Sequence, residues 1–296
     1  MSRTCALVAA VLVLAACAEG PQGSATPTET PSAAAGCPES FPAPDGDPWV
    51  PAEPTTETPG RLVPDADPVE ALVCRYGDVF EVDTAALQGE VVLERGLDRI
   101  RTDLLVPARV EAAERACTQI GGGQVPHLVR LRYADGELWL SAVQDPNRCT
   151  GTGNGDFVSS AYLGDRLAQA YDTAAWPAQD PDPCARGGLG RAGEEGALVP
   201  GGWASLVLCE EDGRARELPA DRAVQVADLL AQLHGQPGTN ACEGVPTAVR
   251  RLVFGYEQGP PSVVVWTPGC EPSLGNGSRS ALPTPAQTEL LALLVG

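Results

Sequence analysis

The sequence predicts an α+β protein of two similar two-layer domains, each an antiparallel sheet with helices on one face, held by disulfides. Three observations predict it. A phrase ending in cysteine occurs twice, from Leu62-Val63-Pro64 to Cys74 (LVPDADPVEALVC) and from Leu198-Val199-Pro200 to Cys209 (LVPGGWASLVLC). Four cysteines, a Val-Pro and an Asn-Gly keep the same order in both halves, which is the signature of an internal repeat. Strand-type runs are interleaved with helical stripes, a pattern that packs as helices covering one face of an antiparallel sheet.

Ala71 to Tyr76 and Trp203 to Cys209 are Leu/Val-rich runs of strand length and predict one buried strand per copy. The first copy adds a candidate hairpin over Val79 to Leu93. Leu97, Ile100, Leu104 and Leu105 recur at helical spacing, as do Ala223, Val226, Leu229, Leu230 and Leu233 in the second copy. Pro219 suits the first turn of the latter helix, and His234-Gly235 before Pro237 suits its end. Pro107 predicts a break in the first helix, with Val110 to Ala116 as a second helical piece.

Leu128 to Tyr133 and Glu137 to Val143 flank Asp135-Gly136, which predicts a type I′ hairpin turn with positive φ angles. Val249 to Phe254 and Ser262 to Trp266 repeat the hairpin around a longer loop. Leu163, Leu167, Ala170, Tyr171 and Ala174 form a closing helical stripe, matched by Ala286, Leu290, Leu293 and Leu294. Residues 18–36 and Pro51 to Gly60 are rich in Pro, Thr and other small residues without periodicity. Neither is expected to bury enough apolar surface to offset its ordering entropy.

At the N-terminus an apolar run from Cys5 to Cys17 stands behind one basic residue, Arg3, and ends in Leu14-Ala15-Ala16-Cys17. It is shorter than the about 20 residues that a spanning helix needs. The tetrapeptide resembles the lipobox of bacterial lipoprotein signal peptides. That resemblance implies cleavage before Cys17, a thioether diacylglycerol on its sulfur, acyl chains such as palmitate, and retention on the extracytoplasmic face of the cell membrane. A diacylglyceryl group supplies the two chains that stable anchoring requires. Residues 1–16 are then a signal peptide and 17–36 a flexible tether reaching roughly 65 Å. Residues 37–178 form the first repeat domain and 179–296 the second, joined near Gln179 to Pro183. Over most of the mature chain the pattern resembles uncharacterised duplicated lipoproteins of high-GC Gram-positive bacteria, which implies a location and an architecture but no activity.

The chain has 20 basic and 39 acidic residues, a net charge of −19, and loss of Arg3 with the signal takes it to −20. Such a field repels phosphate backbones and anionic headgroups, so nucleic acid is excluded as a partner and the lipid must supply membrane attachment. The absence of lysine excludes Schiff-base chemistry and a P-loop. Setting aside Cys5 and Cys17 leaves eight cysteines, which in an exported chain read as four disulfides. The repeat requires equivalent pairs in both copies. A helix ending near the start of the hairpin brings Cys117 to Cys149 and Cys242 to Cys270, leaving Cys37 with Cys74 and Cys184 with Cys209. No C-x-x-C or close Cys/His spacing indicates a metal, and no cofactor is expected.

Candidate chemical groups are few. His127 and His234 are the two histidines; the second copy has Thr247 after its Val-Pro where the first has His127, and His234 sits at a helix end. Neither is expected to be catalytic, and no G-x-S-x-G, H-E-x-x-H or S-x-x-K motif is present. Gly151 to Gly155 resembles a phosphate cradle but shares just the Asn154-Gly155 dipeptide with Asn276-Gly277, which reads as a turn with positive φ. The pairs Asp45/Asp47, Asp65/Asp67 and Asp180/Asp182 lack the remaining ligands of a calcium loop and read as solvated charge. Trp139, Trp203 and Trp266 are expected in the core, while Trp49 and Trp176, beside prolines, are candidates for a binding surface.

These observations favour a non-catalytic envelope lipoprotein that binds or scaffolds. Its expected ligand is a cell-wall component, a small molecule or another envelope protein, held in a cleft between the copies. The alternatives are a purely structural envelope protein and an enzyme acting on wall glycans through two carboxylates, whose separation decides the chemistry.

Overall fold

The computed structural model describes residues 36–42, 48–79, 82–105, 122–148, 150–159, 161–185, 191, 197–237, 248–277 and 279–296. Contacts divide the chain into two units, Met1–Gly36 and Cys37–Gly296, and all that follows concerns the second. Among the described residues no helix is long and apolar enough to cross a membrane.

Two antiparallel seven-stranded sheets organise this unit. The first contains β1 (Ser40–Pro42), β2 (Glu70–Tyr76), β3 (Thr84–Val92), β4 (Val125–Arg132), β5 (Glu137–Gln144), β6 (Thr152–Gly153) and β7 (Val158–Ser159), with α1 (Leu97–Leu104) and α2 (Gly164–Thr173). The second contains β8 (Ser205–Cys209), β9 (Ala215–Glu217), β10 (Gln236–Pro237), β11 (Arg250–Gly255), β12 (Ser262–Trp266), β13 (Leu274–Gly275) and β14 (Arg279–Ala281), with α3 (Ala220–Ala231) and α4 (Pro285–Val295). The spatial orders are β1-β3-β2-β4-β5-β6-β7 and β10-β14-β13-β12-β11-β8-β9. Setting aside the edge strands β1 and β10, the two orders coincide strand for strand, with β3-β2-β4-β5-β6-β7 matching β9-β8-β11-β12-β13-β14. The protein is therefore α+β with a duplicated sheet plan.

Strand pairing also fixes which residues correspond. Cys74 faces Leu128 across β2 and β4, and Cys209 faces Arg251 across β8 and β11. Ser141 faces Gly153 and Val265 faces Gly275. This register sets His127 against Arg250, three positions beyond Thr247, so Thr247 is not its counterpart. Val125-Pro126 does open a strand, and Val245-Pro246 lies outside the described residues. The hairpin expected over Val79 to Leu93 resolves into β3, which pairs with β2, and the second copy has its own version in β9. Three residues are too short a run to register as a strand in sequence.

Alternation explains the layers, because successive side chains of a strand point to opposite faces. Ala71, Val73, Val129, Leu131, Leu138 and Leu140 turn to the helices with Ile100, Leu104, Leu163 and Leu167. Cys74, Tyr76, Leu128 and Trp139 turn to the other face, where Phe41 and Trp49 cover them. Burial on both faces is why β2 reads as a continuous apolar run. In the second copy Leu206, Leu208, Leu252, Phe254, Val264 and Trp266 pack under α3 and α4, while the far face holds the smaller cluster of Cys184, Cys209 and Val253.

Several local expectations change. Tyr133 to Gly136 joins β4 to β5 with no positive φ, so the turn is not type I′. Gly136 is required by a close approach instead, since a Cβ there would lie 2.9 Å from Thr55 Oγ1 and 3.0 Å from its carbonyl carbon. Thr55 comes so near because Pro51 to Gly60 is ordered along the hairpin. Thr55 N–H donates to the Glu137 carbonyl at 2.9 Å, and Thr56 and Thr58 are buried. Backbone pairing, which no apolar count detects, orders this stretch. Pro219 is the N-cap of α3, not a first-turn residue, and α4 begins with a capping box between Thr284 and Gln287. The helical piece expected over Val110 to Ala116 lies outside the described residues.

Candidate functional site

The repeated phrases meet in space. Asn154 is fully buried after β6, and its Nδ2 donates to the Leu62 carbonyl at 3.0 Å and the Arg61 carbonyl at 3.1 Å. Its Oδ1 accepts from the backbone N–H of Phe157 and of Asp156. Asn276 repeats this clasp, donating to the Leu198 carbonyl at 3.1 Å and accepting from Arg279 N–H at 2.8 Å. The following Gly155 and Gly277 have φ of 96° and 89°, a left-handed backbone that glycine adopts at no steric cost. The Leu-Val-Pro and Asn-Gly signatures are thus two ends of one structural device. That accounts for the glycine-rich segment without a phosphate.

His127 is fully buried on β4, facing the helices beside Arg75 of β2. Its Nδ1 lies 3.1 Å from the Val125 carbonyl and donates to it, while Nε2 has no hydrogen-bond partner. Burial pushes its pKa down to about 4; Arg75 adds to that effect, and the Val125 carbonyl and Asp172 oppose it. Arg75 in turn sits 3.8 Å from Asp172 and over the Tyr171 ring. His127 is therefore a neutral residue of the core, beneath the half-exposed Arg75–Asp172 pair. His234, three residues past the end of α3, is exposed.

A buried cluster that sequence reasoning missed lies between α1 and α2. Asp103 Oδ2 accepts from Arg166 Nη2 at 2.7 Å and from Trp176 Nε1 at 2.8 Å, and its Oδ1 accepts from Gln179 Nε2 at 3.0 Å. Arg166 also donates to the Pro177 carbonyl, and Arg99 to the Trp176 carbonyl at 2.8 Å. Trp176 is 0% exposed, so it is not a binding-surface residue. Residues after α2 fold back as a strap over the α1/α2 groove, started by the pairing of Trp176 N–H with the Arg95 carbonyl at 2.9 Å. Trp49 is half-buried, edge-on to Phe41 with ring centroids 5.2 Å apart. Trp139 and Trp266 are buried as expected, and Trp203 packs partly buried against Phe254.

The other carboxylates are engaged structurally. Asp65 and Asp67 both bind Arg101, at 3.0 and 2.9 Å. Asp180 and Asp182 accept backbone N–H bonds from Asp182 and Cys184. Glu70 bridges Arg130 and Arg132, which hold its pKa below the ordinary carboxylate range. Asp45 and Asp47 lie outside the described residues. Among the described residues no group of three or more His, Cys, Asp or Glu side chains is placed to hold a metal ion.

Cys37–Cys74 and Cys184–Cys209 are disulfides with Cα separations of 5.8 and 5.6 Å, and each joins the segment ahead of a copy to its β2 or β8 strand. Cys270 is also disulfide-bonded. Cys17, Cys117, Cys149 and Cys242 lie outside the described residues, and with them the Cys117–Cys149 and Cys242–Cys270 pairings.

One open cleft of about 370 Å³ lies where the copies meet, between the end of α1 and two loops of the second sheet. Thr102 and Leu105 line one side, and Gly201, Gly202, Tyr256 and Gln258 the other. Gly259 touches the first copy directly; a Cβ there would lie 2.6 Å from the Thr102 carbonyl oxygen. The Arg191 guanidinium lies 3.8 Å from the Tyr256 ring centroid and donates to the Gln258 carbonyl at 2.7 Å. Tyr256 donates to the Pro200 carbonyl at 2.7 Å, and burial pushes its phenol up to about 12, so it stays neutral. Arg101 is held by two aspartates and Arg191 by the Gln258 and Pro260 carbonyls of the β11–β12 loop, and the rest of the lining joins the exposed Glu257 carboxylate to hydrogen-bonding groups. Comparison with protein-family models, curated proteins and solved structures finds no match for this chain.

Proposed function

We propose that the chain is a non-catalytic lipoprotein, anchored through Cys17 on the extracytoplasmic face of the membrane, that binds a small polar ligand such as a cell-wall fragment between its two copies. The cleft at the junction carries this reading. Its volume falls at the lower end of small-molecule sites, and it combines the Leu105 side chain with hydrogen-bonding groups of Thr102, Gln258 and the Gly201-Gly202 backbone. Engagement of the buried Asp103, the Glu70 carboxylate and His127 in structural contacts further favours binding over catalysis.

Gly201 provides the test. Nothing lies within 4 Å of a Cβ built there, so Gly201→Trp fills the cleft without strain. Soluble muropeptides titrated onto the full mature protein are expected to bind, and Gly201→Trp is expected to weaken binding at least about tenfold. Unchanged affinity in that variant would reject the cleft as the site. For the anchor, Cys17→Ser should release the protein from the membrane fraction or block its processing. A normally processed Cys17→Ser protein retained in membranes would reject lipidation.

A further inference from the structure

We infer that the groove between α3 and α4 is a docking site for an extended segment of a partner protein that carries an aromatic side chain and a flanking basic residue. This inference stands apart from the junction cleft. It rests on what the first copy does with the same groove.

The helices can be matched position by position. Aligning the buried faces of α1 and α3 sets Ile100, Asp103 and Leu104 against Val226, Leu229 and Leu230, and so Arg99 against Gln225 and Thr102 against Asp228. Aligning the buried faces of α2 and α4 sets Leu167 and Ala170 against Leu291 and Leu294, and so Arg166 against Leu290 and Gln169 against Leu293. Arg99, Asp103 and Arg166 are the three residues that seat the Trp176 strap in the first copy. Their counterparts Gln225, Leu229 and Leu290, with Asp228, Gln232 and Gln287, line an open groove of about 300 Å³ in the second. No strap occupies it among the described residues.

The outward faces have diverged in the direction that an interface requires. Arg166 and Gln169 of α2 correspond to Leu290 and Leu293 of α4, so two polar positions have become apolar. Leu290 is 45% and Leu293 75% exposed. A surface helix keeps polar residues opposite its buried stripe unless something covers them. Loss of the Asp103–Arg166 pair leaves a floor of Leu229 and Leu290 suited to an aromatic ring, at a volume that admits an indole and its backbone. Asp228, exposed at the rim of a strongly acidic chain, complements a basic neighbour on the partner. The exposed stripe is Leu290 and Leu293, far short of the roughly 20 to 30 residues a side of a stable interface, which argues for a short segment over a second copy.

The probe is a fluorescein-labelled peptide with the strap sequence Ala-Ala-Trp-Pro-Ala-Gln extended by one arginine, titrated with the full mature protein and followed by anisotropy. Binding should saturate below about 1 mM. Replacing the peptide's tryptophan by alanine, or Leu290→Glu in the protein, should weaken it at least about tenfold. Val92→Glu, an equally exposed site on the first sheet, should leave it unchanged. Absence of binding at about 1 mM, or equal binding by Leu290→Glu, would overturn the inference. So would a dimer in sedimentation equilibrium that Leu290→Glu dissociates, because the groove's occupant would then be a second copy.

Discussion

In the first copy the groove between the two helices is closed by an ion pair, an indole and a strap of the chain itself; in the second it is open, with a leucine floor and a polar rim. Strand order, register, clasp and disulfide position are the same in both. The sheet plan, fixed by backbone pairing and alternating burial, tolerates exchange of nearly every side chain above it. The helix layer is where the copies have separated, and a single correspondence, Asp103 with Leu229, marks the divide. A buried carboxylate demands donors, so the first copy had to recruit Arg166, Trp176 and Gln179 to satisfy it. A leucine demands nothing, and leaves the groove free.

Breaking that contrast should give the largest effect. Asp103→Leu strands Arg166 without its carboxylate in a buried site and is expected to destabilise by about 3 to 5 kcal/mol in urea unfolding. Adding Arg166→Leu turns the groove floor into that of the second copy and should recover part of the loss. A double variant as unstable as Asp103→Leu alone would show that the two grooves are not equivalent.

Next in size is a pH effect confined to the first copy, since the second copy has Arg250 in place of His127. Folded His127 remains neutral down to about pH 4, whereas an unfolded histidine takes up its proton near pH 6.5. The unfolded state therefore binds more protons between these values. Stability is full above about pH 6.5 and falls as pH drops toward 4, by up to about 3 kcal/mol in all. His127→Gln should flatten this window when urea midpoints are measured against pH; an unchanged slope would place the effect elsewhere.

The smallest contrast concerns the clasps. Asn154 is fully buried and Asn276 half-buried. Asn154→Ala orphans the Leu62 carbonyl and the Phe157 N–H, both buried, at a cost of about 2 to 3 kcal/mol. Asn276→Ala should cost about 1 kcal/mol, because water reaches the released groups. Equal losses in urea unfolding would contradict the difference in burial.

The duplication was legible because its marks are covalent or conformational necessities: cysteines that must pair, and glycines that must take positive φ after an asparagine. Strands β2 and β8 were legible as apolar runs. What escaped detection has a common physical character. Residues 51–60 are ordered by main-chain hydrogen bonds to Glu137, and Trp176 is buried by an indole N–H that finds Asp103 73 positions away in sequence. Neither interaction has a local period. The Val-Pro dipeptides misled the alignment by three residues because a dipeptide carries no register, whereas the cysteine on a central strand does. A cleft between the copies was expected, but the same absence of pattern hid which residues line it, because it is assembled from loops and a helix end.

The Cys37–Cys74 bond also decides how a mechanical load would travel. β1 follows Cys37 immediately and lies at the sheet edge, paired through three residues with β3. Without the crosslink, a pull on the chain ahead of Cys37 would peel this strand off one hydrogen bond at a time and then unzip its neighbours in turn. The disulfide short-circuits that route. Tension entering at Cys37 passes through sulfur directly to β2, which is flanked by β3 and β4, and must shear a central strand against both neighbours at once. The bond therefore turns the weakest edge of the domain into a slack side branch and hands the force to its strongest member.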